Sequence, residues 1–232
     1  MTKTINTQLI MKKCKYVLGS YLACIMFTQL PTQAKEFSNM DFEIAIQPLV
    51  PDGAFRVPID KAMPGWTEYA GGVLYDKVIY NELSAGGGSI SLQGPGSLQP
   101  ILQGNYSVVM QGPSYVLGGS FALGQTGQVP VTAKSLQFWA YNLGGIEVSF
   151  DNHLLPYAAI EVGSEYTTYG ADISQFTGQT GELKFTAPPQ TGATLDNIRF
   201  SSEPIVVPEP GTISLFALGA FALAGRFVWR RS

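Results

Sequence analysis

Short runs in which apolar and polar residues alternate dominate the middle of the chain. Ser89–Leu92 alternates in this way, as do Tyr106–Met110, Tyr115–Leu117 and Ser135–Ala140. In Ile146–Phe150, residues Ile146, Val148 and Phe150 share one face, and Glu147 and Ser149 take the other. A period of two is the signature of a half-buried strand. Leu183–Phe185 and Leu195–Phe200 close the series. In the last run, Leu195, Asn197 and Arg199 are expected on one face, and Asp196, Ile198 and Phe200 on the other. Gly94-Pro95-Gly96, Gly112-Pro113, Gly118-Gly119, Gly144-Gly145 and Pro188-Pro189 stand between the runs. Such dipeptides mark turns. Short strands punctuated by turns predict an all-β body over residues 35–204, an antiparallel β-sandwich or jelly roll. The glycines have no constant period, which argues against a solenoid. Only Asp60–Leu83 mixes aromatic and polar residues without a clean period.

The two ends are patterned differently. Lys12, Lys13 and Lys15 precede an apolar stretch from Tyr16 to Phe27, too short to span a bilayer comfortably. Pro31 breaks it, and Thr32-Gln33-Ala34 follows before Lys35. Residues 1–34 therefore read as a secretory signal peptide, cut by signal peptidase after Ala34. Translation from Met1 or from Met11 would serve equally. The alternatives are a lipoprotein joined through Cys24 and a buried N-terminal helix. Both cysteines, Cys14 and Cys24, lie in this leader, so the mature body has no disulfide.

At the other end, Val207-Pro208-Glu209-Pro210-Gly211 interrupts any helix or central strand. An uncharged run, Ile213–Gly225, comes next, and then Arg226, Arg230 and Arg231. If Arg226 snorkels, residues 213–229 are just long enough to span a membrane. Arginines without acids place that end in the cytoplasm and the body outside.

Charge sharpens this division. The whole chain is only 13% charged, with 14 basic and 17 acidic residues. Between Lys35 and Gly211 there are 7 basic residues against all 17 acids, a net charge of −10. So acidic a body does not suit a nucleic-acid binder. A single histidine excludes most His-based metal and catalytic sets. From Leu83 to Ala133 no residue is charged. One reading is a pair of hairpins with Ser, Thr and Gln on their wet faces. The other is a neutral surface suited to polysaccharide.

The C-terminal segment, residues 205–232, resembles the PEP-CTERM sorting signal of Gram-negative bacteria. The resemblance rests on Val207, Pro208, Glu209 and Pro210, the short apolar stretch and the arginine-rich end, in that order. It implies recognition by a membrane-embedded exosortase and export to the cell envelope, the outer surface or an extracellular matrix, in organisms that build biofilms. Within the body, Asn39-Met40-Asp41-Phe42-Glu43, then Pro64-Gly65-Trp66, and finally Leu195-Asp196-Asn197-Ile198 look like the galactose-binding-like sandwich of carbohydrate-binding modules. That resemblance implies a structural calcium ion joining the first and last strands. Glu43 and Asp196 would be its acidic ligands, with Asp41 a weaker one.

For ligand contact, Tyr166 and Tyr169 stand in a polar stretch and are the expected sugar platforms. Trp139 and Tyr115 are further candidates. Trp139 adjoins Phe138 in a strand, so one of the two must face outward. Trp66 is expected to plug the core. His153 sits in a turn, Asp151-Asn152-His153, where neighbouring Ser149 and Asp151 cannot converge on one proton path. Glycosidase chemistry needs two carboxylates about 5 to 10 Å apart across a cleft, and no sequence pattern pairs them. The chain is therefore expected to be non-catalytic. Two roles remain: a module that binds extracellular polysaccharide, or a structural or adhesive matrix protein without a specific ligand.

Overall fold

The computed structural model describes residues 35–115 and 119–205. The expected leader, the sorting motif Val207–Pro210, the apolar run 213–229 and residues 116–118 lie outside the described residues. The body is almost entirely β. In chain order the strands are β1 (Arg56–Pro58), β2 (Thr67–Ala70), β3 (Val73–Tyr75), β4 (Lys77–Tyr80) and β5 (Ser89–Gln93). Then come β6 (Ser107–Gln111), β7 (Phe121–Gln128), β8 (Ser135–Gly144), β9 (Glu147–Phe150) and β10 (His153–Leu154). β11 (Tyr157–Val162), β12 (Thr167–Asp172), β13 (Thr180–Ala187) and β14 (Gly192–Ser201) complete the set. One helical turn, α1 (Ile59–Ala62), follows β1 directly, and a 3₁₀ turn covers Ser174–Phe176.

The strands form two sheets. The larger has the order β1-β4-β5-β6-β14-β8-β12-β11, and the smaller β10-β9-β13-β7-β2-β3. Their inner faces share one core. Phe138 lies at its centre, edge-on to Phe185 of the other sheet at 5.3 Å and stacked with Tyr169 at 5.7 Å. Ile146, Val148 and Phe150 point inward as their alternation predicts. Trp66 is 4% exposed and donates its indole N–H to the Asn39 carbonyl at 2.8 Å, so it is the expected core plug.

The sandwich is antiparallel with one exception between strands. β4 and β5 pair in parallel through Ile79 with Ser91 and Tyr80 with Leu92. The stretch without a clean period, Asp60–Leu83, holds α1 and the short strands β2, β3 and β4. Elements of three or four residues are too brief to show a period. The hairpin joining β2 and β3 turns on Gly71 and Gly72, with φ of 59° and 79°. Two successive left-handed residues make the two-residue turn whose twist fits an antiparallel pair, and glycine takes that geometry without strain.

Two expectations need correction. Simple alternation fails in β14, because its register with β8 shifts between Asp196 and Arg199. Asn197 there adopts φ 44°, so Ile198 joins Leu195 in the core instead of opposing it. A bulge adds one residue and reverses the facing of the residues after it. Tyr115 lies in a loop after β6, not in a strand.

Candidate functional site: the outer face of the larger sheet

Cross-strand register places the chemistry on the outer face of the larger sheet. In one row, Gln93 of β5 faces Ser107 of β6, and Asp196 of β14 faces Trp139 of β8, which in turn faces Thr168 of β12. The next row runs from Ser91 to Val109, Thr194 and Tyr141. Directly paired residues point to the same side of a sheet. Half of this face is polar and half aromatic.

The polar half is not wet. Ser89, Ser91, Gln93, Ser107 and Asp196 are all 0% exposed. The connections before and after β5 fold over them. Ser91 Oγ and Gln93 Nε2 both donate to the Glu82 carbonyl, at 2.7 and 3.1 Å. Much of the charge-free stretch is thus a satisfied polar layer under loops. A buried hydroxyl or amide is tolerated when its hydrogen bonds are made.

Glu43 and Asp196 do come together, around the 103–107 segment. Glu43 Oε1 accepts the N–H groups of Asn105 and Tyr106 at 2.9 and 3.0 Å. Its Oε2 accepts the Asn105 N–H and side-chain amide at 3.0 and 3.1 Å. Gly104, at φ 62°, leaves room for that carboxylate, which a Cβ would strike. Asp196 Oδ2 accepts the Gln103 N–H and the Ser107 hydroxyl at 3.0 and 2.7 Å, and Oδ1 accepts the Asn197 N–H at 2.6 Å. Burial pushes the Asp196 carboxyl up to about 7 against the pull of those three donors, and the Glu43 charge adds to the rise.

Those donors bear on calcium. A calcium ion needs several oxygens with lone pairs free to face it. Here the carboxylate oxygens face N–H and O–H groups, whose partial positive charges oppose a cation. Asp41 is exposed and receives only the Glu43 N–H, at 3.4 Å. Among the described residues, no three His, Cys, Asp or Glu side chains gather closely enough to hold a metal. This arrangement does not fit the ion; it ties the N-terminal segment to the last strand by hydrogen bonds alone. Calcium and EDTA should therefore give the same melting temperature. A rise with calcium that Asp196→Asn removes would contradict this.

The aromatic half is open. Trp139 and Tyr166 are half-buried and stack face to face, with centroids 4.1 Å apart and planes 18° apart. Tyr141, two residues beyond Trp139 on the same face, is 38% exposed. Beyond it lies a cavity of about 330 Å³, lined by Gln99, Val109, Gln111, Tyr141, Gln190 and Thr194 among others, none of them charged. Tyr115 is exposed in the adjoining loop, whose Ser114 carbonyl accepts the Gln190 amide at 3.4 Å. Three expected platforms, Trp139, Tyr166 and Tyr115, thus belong to this face or its rim. Tyr169 does not. It points inward against Phe138 and Tyr157, because it is paired with Phe138 across β12 and β8. Of the cavity residues, Gln99, Val109 and Gln111 come from the uncharged stretch, while Gln190 and Thr194 lie far beyond it and carry no sequence signal.

His153 is exposed in the expected hairpin, its Nδ1 3.0 Å from the Asp151 carbonyl.

The chain is similar to solved structures at low identity. One is the Stig cyclase Fisc from Fischerella sp. TAU, in complex with (3Z)-3-(1-methyl-2-pyrrolidinylidene)-3H-indole. It is 18% identical, over 75% of this chain and 98% of that one, with a TM-score of 0.46. Another is the enzymatically active domain of bacteriophage CBA120 tailspike protein 4, 14% identical over 72% of this chain and 21% of that one, with a TM-score of 0.37. No curated protein matches the chain. Residues 206–232 match the PEP-CTERM protein-sorting motif, which marks an exported, cell-envelope-associated protein processed by an exosortase.

Proposed function

We propose that the body is a non-catalytic module that binds extracellular polysaccharide through the aromatic half of its larger sheet. The stacked pair of Trp139 and Tyr166 carries this reading. Two large rings, pre-stacked and half-open to solvent, offer a rigid apolar platform at little entropic cost. Sugar rings present C–H faces that match such a platform, and Tyr141 extends it along β8. The uncharged lining of the cavity beyond Tyr141 favours a polymer over a charged small molecule. In this reading the leader 1–34 is removed by signal peptidase, and the sandwich is of the galactose-binding-like kind.

The residues that follow the expected cut at Ala34 are tied to the sandwich. The Lys35 carbonyl accepts the Gln128 N–H at 2.8 Å, and Ser38 and Gln125 exchange two hydrogen bonds.

Affinity electrophoresis of the exported protein in gels containing the host's own polysaccharide tests the proposal. Retardation is expected, and joint Trp139→Ala and Tyr166→Ala substitution should weaken it at least tenfold, with melting unchanged. The second reading, a matrix protein without a ligand, draws on the edge strand β3, where Val73 and Leu74 are 70% and 66% exposed. Absence of retardation together with concentration-dependent self-association would favour it.

A further inference from the structure

The cavity at the end of the aromatic strip is distinct from the strip itself. We infer that it is a subsite for one uncharged sugar unit of the polymer, an inference that rests on the reading of this face as a polysaccharide track.

Its position comes first. Trp139 and Tyr141 are two residues apart on one strand, so their rings are spaced by about 7 Å along the same face. A polymer lying on Trp139 and Tyr166 and following β8 reaches Tyr141 next. There the surface drops into the cavity, whose volume of about 330 Å³ lies at the small end of the range for ligand clefts. Val109 and Thr194, 8% and 6% exposed, belong to neighbouring strands and contribute to its lining.

The chemistry of the lining comes second. Amide side chains surround the space: Gln99, Gln111, Asn142 and Gln190. An amide both donates and accepts, as a sugar hydroxyl does. Gln111 is fixed in place, since its Oε1 accepts the Ser84 N–H at 3.0 Å and the Ser89 hydroxyl at 3.3 Å. Its Nε2 has no partner among the described residues, and neither do the side-chain amides of Gln99 and Asn142. The Tyr141 ring supplies an apolar wall.

The missing charge comes third. A uronate or sulfate seated here would lose water without meeting a cation, which is costly. Arg199, the nearest basic residue along β14, bonds Gln137 at 2.9 Å and is not among the cavity's residues. Uncharged pyranose units are therefore the class selected, and acidic units are rejected at this position.

The test uses the processed, exported protein in affinity gels. The neutral probes are a β-glucan, a galactan and a dextran; the acidic ones are alginate and polygalacturonate; the host polymer is run beside them. Retardation by a neutral probe and not by the acidic ones is expected. Tyr141→Ala and Asn142→Asp should each weaken it about tenfold or more. Both positions are exposed, so the melting temperature should not move. Asn142 has φ 52°, a conformation aspartate also accepts. Equal retardation by an acidic probe would overturn the inference. Unchanged binding in both cavity variants, with loss in the Trp139 and Tyr166 double variant, would overturn it and leave the polysaccharide reading intact. No retardation by any polymer would remove both.

Discussion

Replacing Glu68 by methionine should raise the melting temperature of the body, most of all near pH 8. Glu68 lies on β2 opposite Leu123 and points into the core with 0% exposure. Neither of its carboxyl oxygens has a hydrogen-bond partner among the described residues. Burial pushes its pKa from 4.5 up to about 8; the Arg56 charge and the nearby Ile90 N–H, which is not in full hydrogen-bond geometry with the carboxyl, draw it down only partly. The folded chain therefore holds a neutral acid at pH 7, whereas the unfolded chain ionises it. Because the folded value is raised, the linked stability is fully present below about pH 4.5 and is lost as pH rises to about 8. At about 1.4 kcal/mol per unit the loss approaches 5 kcal/mol. Methionine, similar in length and without a polar end, removes the orphaned oxygens, and a gain of about 2–5 kcal/mol at pH 8 corresponds to roughly 5–15 °C. Glutamine should flatten the pH dependence with a smaller gain, since its amide is also orphaned. Asp196, raised to about 7, adds a fall of the same sign between about pH 4 and 7. Asp52 acts oppositely. The Arg56 N–H, the Lys77 ammonium and the Ala54 N–H lower it to about 2, so its contribution fades only as pH drops below 4. Maximum stability near pH 4–5 is the expected profile of the unaltered protein, read by thermal melts across pH. A melt midpoint rising from pH 5 to pH 8, or no gain on Glu68→Met, would contradict the account.

The same residue shows where a sequence stops being informative. Alternation located β5, β6, β8, β13 and β14, where apolar and polar residues take turns, but not β7, β11 or β12, whose sequences do not alternate cleanly. It also forced Phe138 and Trp139 to opposite faces. Glu68 sits in a four-residue strand, where one period cannot be told from chance, and its inward side is fixed only by Trp66 two residues earlier. By sequence Tyr169 reads as an exposed tyrosine in a polar stretch, because its neighbours Thr167, Thr168 and Gly170 are not apolar. Its register with Phe138 turns it inward, and register is set by the partner strand. The stacking of Trp139 on Tyr166 and the latch of Glu43 against Asn105 and Tyr106 join segments 27 and about 60 residues apart. Loops that carry such contacts have no period to read. Asn39, Phe42 and Glu43 stood out as a motif, yet the type of partner on Glu43, N–H groups rather than an ion, depends on how Gly104 and Asn105 fold.

Glu209→Ala in the native host should abolish exosortase processing and leave the full C-terminal segment on the protein. Ile205, the last described residue, packs over Gly170 on the outer side of β12. Only Val206 and Val207 separate it from Pro208 in the sequence. Pro208 and Pro210 fix their own φ and have no N–H to offer. Between them, Glu209 supplies both a charged side chain and an N–H, and it is the sole acid after Glu203. An enzyme that reads this short motif has little else to distinguish. The segment behind it, uncharged from Ile213 to Gly225 and ending in Arg226, Arg230 and Arg231, should keep the unprocessed chain in the membrane with the arginines on the cytoplasmic side. Intact mass and fractionation provide the readout. The unaltered chain should yield a shortened product lacking the arginines, while the variant should remain full length after the leader and partition with membranes. The sandwich lies wholly before the motif, so the melting temperature of its body should be unchanged. Identical masses for the two proteins would mean that Glu209 is not read.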